Sequence, residues 1–231
     1  EARKIAQLIK KYGYLIITQV SYKTELIHPP SPFNLGDLQA EASRIYGYSP
    51  LRTQEIAEQL YLDALISYPR TNSQKLPSTI NYRGILMNIA KNPAYSRLVR
   101  TLLIETGGQL KPRQGTKEDP AHPAIYPTGN LPGKLSIDKS RIYDLIVRRF
   151  LACFSKPAKV SQVKVKLESP FIYMNSRIEF SVNFTSIVDQ GWIKYYPYIS
   201  LEAVKVPHVY KYMKIPVSKV RVRVQYVSSI E

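Results

Sequence analysis

Residues 65–73 read Leu-Ile-Ser-Tyr-Pro-Arg-Thr-Asn-Ser and place Tyr68 at the end of a short apolar run. Pro69 stiffens the turn behind it, Arg70 follows, and three side chains that form hydrogen bonds complete the stretch. A phenol has a pKa of about 10, so it attacks poorly unless a neighbouring cation favours the phenolate or offsets the developing charge. The planar guanidinium of Arg70 can grip phosphate oxygens in pairs. The stretch therefore predicts a nucleophile beside a phosphate-binding arginine.

The same stretch also fits a purely structural role. The chain contains 18 tyrosines, and most tyrosines in a protein pack in the core or at an interface. A β-strand that runs into a turn would use Thr71, Asn72 and Ser73 as a cluster of capping side chains. Spacing alone leaves both interpretations open.

The charge balance points to a polyanionic partner. The chain has 33 Lys and Arg against 17 Asp and Glu, a net charge of +16 and a pI of about 9.8. The alternative is a solvated, lysine-rich surface. The cations are spread along the chain, which fits a lined groove better than a disordered arm. They include Lys10, Lys11, Lys111, Arg113, Arg148, Arg149, Lys164, Lys166, Lys219, Arg221 and Arg223.

Composition excludes several classes of protein. The single cysteine, Cys153, lies in an apolar helical stretch, so neither a disulfide framework nor a cysteine-rich zinc site can form. This cysteine usage predicts a reducing, intracellular location, the cytoplasm. Without a run of about 18 apolar residues or a signal-peptide pattern, no membrane association is expected.

Hydrophobic periodicity predicts helices and strands in separate parts of the chain. Asn34 caps one predicted helix, Gly47 ends it, and Thr53 starts the next, with Glu55 and Glu58 near its positive end. The predicted helices are 2–12, 34–46, one starting at 53, 79–91, 94–106 and 138–154. The predicted strands are 14–26, 163–167, 178–184 and 220–224.

These elements predict an α+β fold with two domains. The stiff segment HPPSP (28–32) is the best boundary candidate. A helical, winged-helix-like domain (32–152) carries the tyrosine and is inserted into a mostly antiparallel, β-rich domain (1–31 plus 153–231). Two short helices followed by an apolar strand suggest a helix-turn-helix with a wing, and Tyr68 would lie on the edge of that wing.

A long Gly/Pro-rich loop, residues 106–134, contains His122 between two prolines. Loops of this length in compact domains are usually functional or mobile. On its own, His122 fits a structural histidine as well as a functional one.

Three sequence blocks resemble type IA DNA topoisomerases, and they follow one another along the chain in the order found in that family. The stretch LISYPRTNS (65–73) is similar to their active-site signature, Y-x-R-T-[DN]-S. PPSPFNLGDLQAEASRIYGYSPLRTQEIAEQLY (29–61) and AHPAIYPT (121–128) are similar to the blocks that flank it. The β-rich segment 171–196, with its Gly-Trp pair, resembles the arch of that family more weakly.

The resemblance implies a reaction. In this family a tyrosine attacks a phosphodiester of single-stranded DNA, forms a transient 5′-phosphotyrosyl bond, and the break is resealed after strand passage, without ATP. Tyr68 matches the nucleophile, Arg70 the phosphate-stabilising residue and His122 the active-site histidine. The residues expected to contact DNA are Thr71, Asn72, Ser73, Gln39, Lys111 and Arg113. Asn72 departs from the family, which often has an aspartate there, so a proton-relay role at this position is in doubt.

The resemblance also implies parts that this sequence lacks. The family binds Mg²⁺ through an acidic cluster in a toprim domain, and no such cluster is found here; Glu118 and Asp119 form the only dense acidic spot. We therefore expect no metal ligands and no cofactor in this segment. It would be a monomeric fragment of a larger enzyme, inactive or weakly active alone.

Two other functions use some of the same residue types. A non-catalytic winged-helix module that binds single-stranded DNA would use Tyr68 as a backbone contact. A tyrosine recombinase or type IB topoisomerase also needs Tyr, Arg and His, but there the tyrosine comes last, whereas His122 follows Tyr68 by 54 positions. The recombinase interpretation is rejected on this order.

Overall fold

The computed structural model describes residues 1–199, 201, 203–204 and 208–222. Within these ranges helices and an antiparallel sheet occupy different stretches of the chain, which confirms the predicted α+β class. No described helix has the length and apolar character needed to cross a membrane. The elements are α1 (Ala2–Tyr12), β1 (Tyr14–Ile27), α2 (Leu35–Tyr46), α3 (Pro50–Leu62), α4 (Tyr82–Ile89), α5 (Pro93–Glu105), α6 (Ile137–Cys153), β2 (Ala158–Tyr173), β3 (Ser176–Asp189), a 3-10 helix (Gly191–Lys194) and β4 (Lys214–Pro216).

The chain divides into two compact units. The sheet unit comprises Glu1–Glu25, Val160–Val188 and Glu202–Glu231, and the helical unit comprises Leu26–Lys159 and Asp189–Leu201. Compared with the predicted ranges, residues 26–31, 153–159 and 189–201 belong to the helical unit. Trp192 supplies the physical reason, because its indole N–H donates to the carbonyl of Ile27 and its backbone N–H donates to that of Lys156.

The sheet unit contains a four-stranded sheet in the order β3-β2-β1-β4. β2 and β3 form a hairpin whose two turn residues, Met174 and Asn175, both have positive φ, as a tight two-residue turn requires. One face of the sheet buries Ile17 against Val163, Val165 and Leu167. Alternation of apolar and polar residues along β2 therefore predicted the buried face correctly.

The predicted strand at 220–224 is wrong in its described part. β4 lies earlier, at Lys214–Pro216, and pairs antiparallel with β1, while residues 217–222 form no strand. Arg223 and Val224 lie outside the described residues. The alternation of valines with cations in this segment was mistaken for a strand pattern.

In the helical unit, α2 and α3 begin at side-chain caps. The carboxamide oxygen of Asn34 accepts from the Asp37 N–H, which confirms the predicted start of α2. The prediction for α3 was wrong by one turn: Ser49 is its cap, and Pro50 occupies the first turn, where its missing N–H costs nothing. Thr53 is fully buried, and its hydroxyl donates to the Ser49 carbonyl.

The core of the helical unit is formed by one face of each helix. Four of its side chains are at most 1% exposed: Phe33, Leu38, Ile56 and Leu60. Burial of each such side chain stabilises the fold by roughly 1.5–3 kcal/mol. α6 contributes nine buried residues and starts at Ser136, whose hydroxyl accepts from the Lys139 N–H. This core fixes α3 as a rigid support for the loops beside it.

The predicted wing strand at Tyr68 is wrong. Ile66 makes a single antiparallel bridge with Pro127, and residues 67–81 contain no strand or helix. Pro69 has no N–H to donate to a strand ladder. The hydroxyls of Thr71 and Ser73 accept from the N–H groups two residues further on, so this backbone is satisfied locally instead of by a neighbouring strand.

Candidate active site

Tyr68 lies half-buried in the irregular segment that follows the Ile66 bridge. Its ring is packed between two others: the His122 ring lies 4.7 Å away between centroids, and the Tyr61 ring lies 5.4 Å away in an edge-on arrangement. The two contacts limit the rotation of the tyrosine ring without sealing the residue in the core. The sequence-predicted tyrosine and histidine therefore meet, although 54 positions separate them.

Arg70 is exposed and is held by α3. Its Nε–H donates to Oε1 of Glu58 over 2.6 Å, and Nη2 lies 2.6 Å from the same oxygen in an ion pair. This hydrogen bond is the main reason that the pKa of Glu58 is below its usual value and the pKa of Arg70 is above its own. The Tyr68 phenol adds a smaller contribution to the raised pKa of Arg70, so phenol and guanidinium lie within electrostatic reach of each other.

The loop that carries His122 is fastened along the tyrosine segment. The Ser67 N–H donates to the carbonyl of Tyr126, and the Tyr126 N–H donates to the Ser67 hydroxyl. Further along, the Thr71 hydroxyl donates to the His122 carbonyl over 3.2 Å. These bonds, made on both sides of Tyr68, set the position of the His122 ring against it.

Asp119 fixes the turn that precedes His122. Its Oδ1 atom accepts from the N–H groups of Ala121, at 2.9 Å, and His122, at 3.3 Å. These backbone hydrogen bonds, led by Ala121, lower the pKa of Asp119, and a backbone hydrogen bond from Asn72 adds to the effect. Asp119 therefore connects the histidine loop with the segment after Tyr68.

The other predicted site residues lie in different settings. Thr71 and Ser73 are only 3% and 2% exposed, so their hydroxyls face the protein interior, whereas Asn72 is exposed. Gln39 is on α2 and its amide donates to the Pro50 carbonyl. Lys111 and Arg113 have exposed side chains in the long loop.

A cavity of about 500 Å³ lies on the histidine side of this site. Ser73, Lys75, Gln114 and His122 are among the residues that line it. Lys75 forms an ion pair with Glu118, so the cavity wall carries both signs of charge. Among the described residues, no group of three His, Cys, Asp or Glu side chains is placed to hold a metal ion.

Sequence reasoning missed three residues of this site, Glu58, Tyr61 and Asp119. Glu58 was assigned to the positive end of α3, but the helix begins at Pro50, so Glu58 is far from that end and free to bind Arg70. Spacing could have indicated two of them, because Glu58 and Tyr61 are three residues apart and therefore share a face of the helix.

Fold and site together define an α+β protein whose helical unit presents a tyrosine, a histidine and an arginine in one place. Comparison with known families assigns it further. The family model described as DNA topoisomerase matches residues 1–229, nearly the whole chain. The chain belongs to the DNA topoisomerase family.

Curated relatives agree with this assignment. DNA topoisomerase 1 of Aeropyrum pernix is 49% identical over 97% of this chain, and that of Methanothermobacter thermautotrophicus is 44% identical over 84%. DNA topoisomerase 3-alpha of Arabidopsis thaliana is 35% identical over 61% of the chain. The chain spans 33%, 26% and 16% of the lengths of these three relatives.

A solved structure shares the fold. The full-length topoisomerase I of Thermotoga maritima superposes with a TM-score of 0.62 at 23% identity, over 91% of this chain and 34% of that protein. The resemblance to the topoisomerase family inferred from the three sequence blocks is confirmed by the family model and the curated relatives.

Proposed function

We propose that this chain is the segment of a type IA DNA topoisomerase that carries the nucleophile, Tyr68. The phenolate oxygen attacks the phosphorus of a single-stranded DNA phosphodiester, the bond to the 3′ oxygen breaks, and the 5′ phosphate remains on the tyrosine. The phenol has given up its proton, and the 3′ oxygen takes up one in exchange and leaves as a hydroxyl. This hydroxyl later attacks the phosphotyrosine to reseal the strand, and the proton returns to the phenol. Because the energy of the broken phosphodiester bond is kept in the phosphotyrosine ester, resealing needs no nucleotide.

The observation that carries the proposal is the packing of the Tyr68 ring against His122, with Arg70 within electrostatic reach. A phenol becomes an effective nucleophile when positive charge offsets the charge that develops on the phosphate oxygens. Arg70 supplies a fixed cation for this purpose, and His122 is placed for a contact with the same phosphate. The half-buried ring keeps the phenol at the surface, where a DNA strand can reach it.

Trapping of the covalent intermediate tests the proposal. The full-length protein is mixed with a labelled single-stranded oligonucleotide, denatured, and analysed for DNA attached to Tyr68. We expect an adduct in the wild type and none in Tyr68→Phe. Tyr61→Phe is the matched control, since it removes the hydroxyl of the adjacent ring and should leave the adduct intact. DNA binding without any adduct would favour the non-catalytic single-stranded-DNA-binding module instead.

Magnesium is part of the proposal but not of this segment. The described residues offer no cluster that fits the ion, so no step is assigned to it here. We propose that Mg²⁺ is held by parts of the relatives that this chain does not cover, and that the 231 residues alone bind single strands without relaxing DNA. Magnesium-dependent relaxation of supercoiled plasmid by this chain would contradict that part. We also propose, from the resemblance to the topoisomerase family, that the full-length protein acts as a monomer at the cytoplasmic nucleoid.

A further inference from the structure

We infer that Glu58 is a positioning residue that holds Arg70 in the orientation needed to bind the reacting phosphate. The inference rests on the proposed function of Tyr68 and deepens it. It concerns a residue that does not touch the DNA but acts through the guanidinium.

Glu58 engages only one edge of that guanidinium. A guanidinium has five N–H donors. Glu58 Oε1 accepts from the Nε–H, and Nη2 lies 2.6 Å from the same oxygen in an ion pair. A phosphate is gripped by two neighbouring donors. The opposite edge, formed by Nη1 and the outer N–H of Nη2, has the right pair of donors for it. Glu58 thus orients the arginine and leaves a phosphate-binding edge available.

The carboxylate of Glu58 is itself held in place. Gln54, one turn earlier on α3, donates its amide to the same Oε1 atom over 3.0 Å. A pair spaced four residues apart on a helix is a regular way to fix a side chain. α3 is anchored in the core through Ile56 and Leu60, so Glu58 starts from a rigid support.

The same helix also contacts the nucleophile. Tyr61, three residues after Glu58, packs its ring edge-on against Tyr68. One face of α3 therefore orients both parts of the proposed chemistry, the phenol through Tyr61 and the arginine through Glu58. Arg70 needs this support because it follows Pro69 in an irregular segment, where a long side chain samples many rotamers.

This ion pair is better suited to orientation than to stability. The side chains of Arg70 and Glu58 are 54% and 33% exposed, and ion pairs with such exposure add little to the stability of a fold. Loss of Glu58 should therefore leave the fold intact and affect the reaction. That separation makes the inference testable.

The experiment compares Glu58→Ala and Glu58→Gln in the full-length protein. The rate of adduct formation is measured at saturating single-stranded oligonucleotide, together with the concentration that gives half the maximal rate. We expect Glu58→Ala to lower the maximal rate by roughly 10- to 100-fold, the size of effect that misplacement of a catalytic group produces. Glu58→Gln keeps an acceptor for Arg70 and should recover most of the rate.

Glu55→Ala is the matched control. Glu55 lies on the same helix, is somewhat more exposed than Glu58 and pairs with Arg52 instead of Arg70. Its removal should change neither the rate nor the urea midpoint. An equal loss of rate in Glu55→Ala and Glu58→Ala would overturn the inference, because any loss of charge from α3 would then suffice.

A double-mutant cycle tests whether Glu58 acts through Arg70. In an Arg70→Ala background, Glu58→Ala should have no further effect on the rate. A further loss in that background would overturn the inference, as would a wild-type rate in Glu58→Ala itself. Failure of the proposed function looks different: the wild type would then form no adduct, whatever residue stands at position 58.

Discussion

Replacement of Thr71 by valine separates two roles for a residue that the sequence assigns to DNA binding. Valine has nearly the same shape as threonine but no hydroxyl. The hydroxyl of Thr71 donates to the His122 carbonyl at 3.2 Å and accepts from the Ser73 N–H at 3.0 Å. Thr71→Val therefore removes both bonds and leaves no cavity.

The expected cost follows from the surroundings of these groups. Ser73 is buried, so its N–H would be left without an acceptor, at a cost of about 1–3 kcal/mol, and loss of the bond to the His122 carbonyl adds about 1 kcal/mol. We expect Thr71→Val to lower the free energy of unfolding of the helical unit by roughly 2–4 kcal/mol. Thr71→Ser keeps both hydrogen bonds and loses one buried methyl group, at about 0.8 kcal/mol.

The measurement is urea denaturation of the 231-residue chain, followed by the fluorescence of Trp192. This residue is the only tryptophan and lies in the helical unit. Valine should be more destabilising than serine even though it preserves the volume of the side chain. The opposite order, or a valine variant as stable as the wild type, would refute the assignment of Thr71 to internal hydrogen bonding. In that case a loss of affinity for single-stranded DNA would restore the role that the sequence suggests.

Two further predictions concern stability. Gly191 has a φ of +48°, and a Cβ atom there would lie 2.4 Å from the Pro157 carbonyl oxygen. Gly191→Ala should therefore lower the free energy of unfolding, measured by urea denaturation, by at least about 2 kcal/mol. Gly133→Ala is the control: the added atom meets open space, so the free energy of unfolding should change by less than about 0.5 kcal/mol. Burial raises the pKa of Tyr143 from 10.0 to about 12, so the unfolded chain loses this proton first and stability should fall between pH 10 and pH 12. Tyr143→Phe should reduce that fall in the free energy of unfolding by about 1.4 kcal/mol at pH 11 and leave its pH dependence almost unchanged below pH 9. The same pH dependence in wild type and variant above pH 10 would contradict the raised pKa of Tyr143.

Local signals in the sequence were read correctly where a few consecutive residues decide the structure. The cap at Asn34 and the stop at Gly47 are satisfied by groups within three to five residues. The predicted structure was wrong where one local pattern is compatible with two different structures. Thr53 resembles a cap but is buried one turn inside α3, and the apolar run before Tyr68 resembles a strand although Pro69 prevents it from pairing further.

The sequence by itself determined the family, and it predicted Tyr68 as the nucleophile. The signature around Tyr68 is contiguous, so residue types and their short spacing are enough to recognise it in the sequence. It also predicted His122 as a site residue, although only through the resemblance of its block to known proteins.

Only the tertiary structure decided which groups surround that tyrosine. Glu58, Tyr61 and Asp119 reach the site because α3 and the 106–134 loop fold back onto residues 65–76. Such contacts join residues that are many positions apart, and they depend on where the core places each element. The inward orientation of Thr71 and Ser73 has the same origin: buried backbone N–H groups need acceptors, and in this segment the nearest acceptors are these hydroxyls.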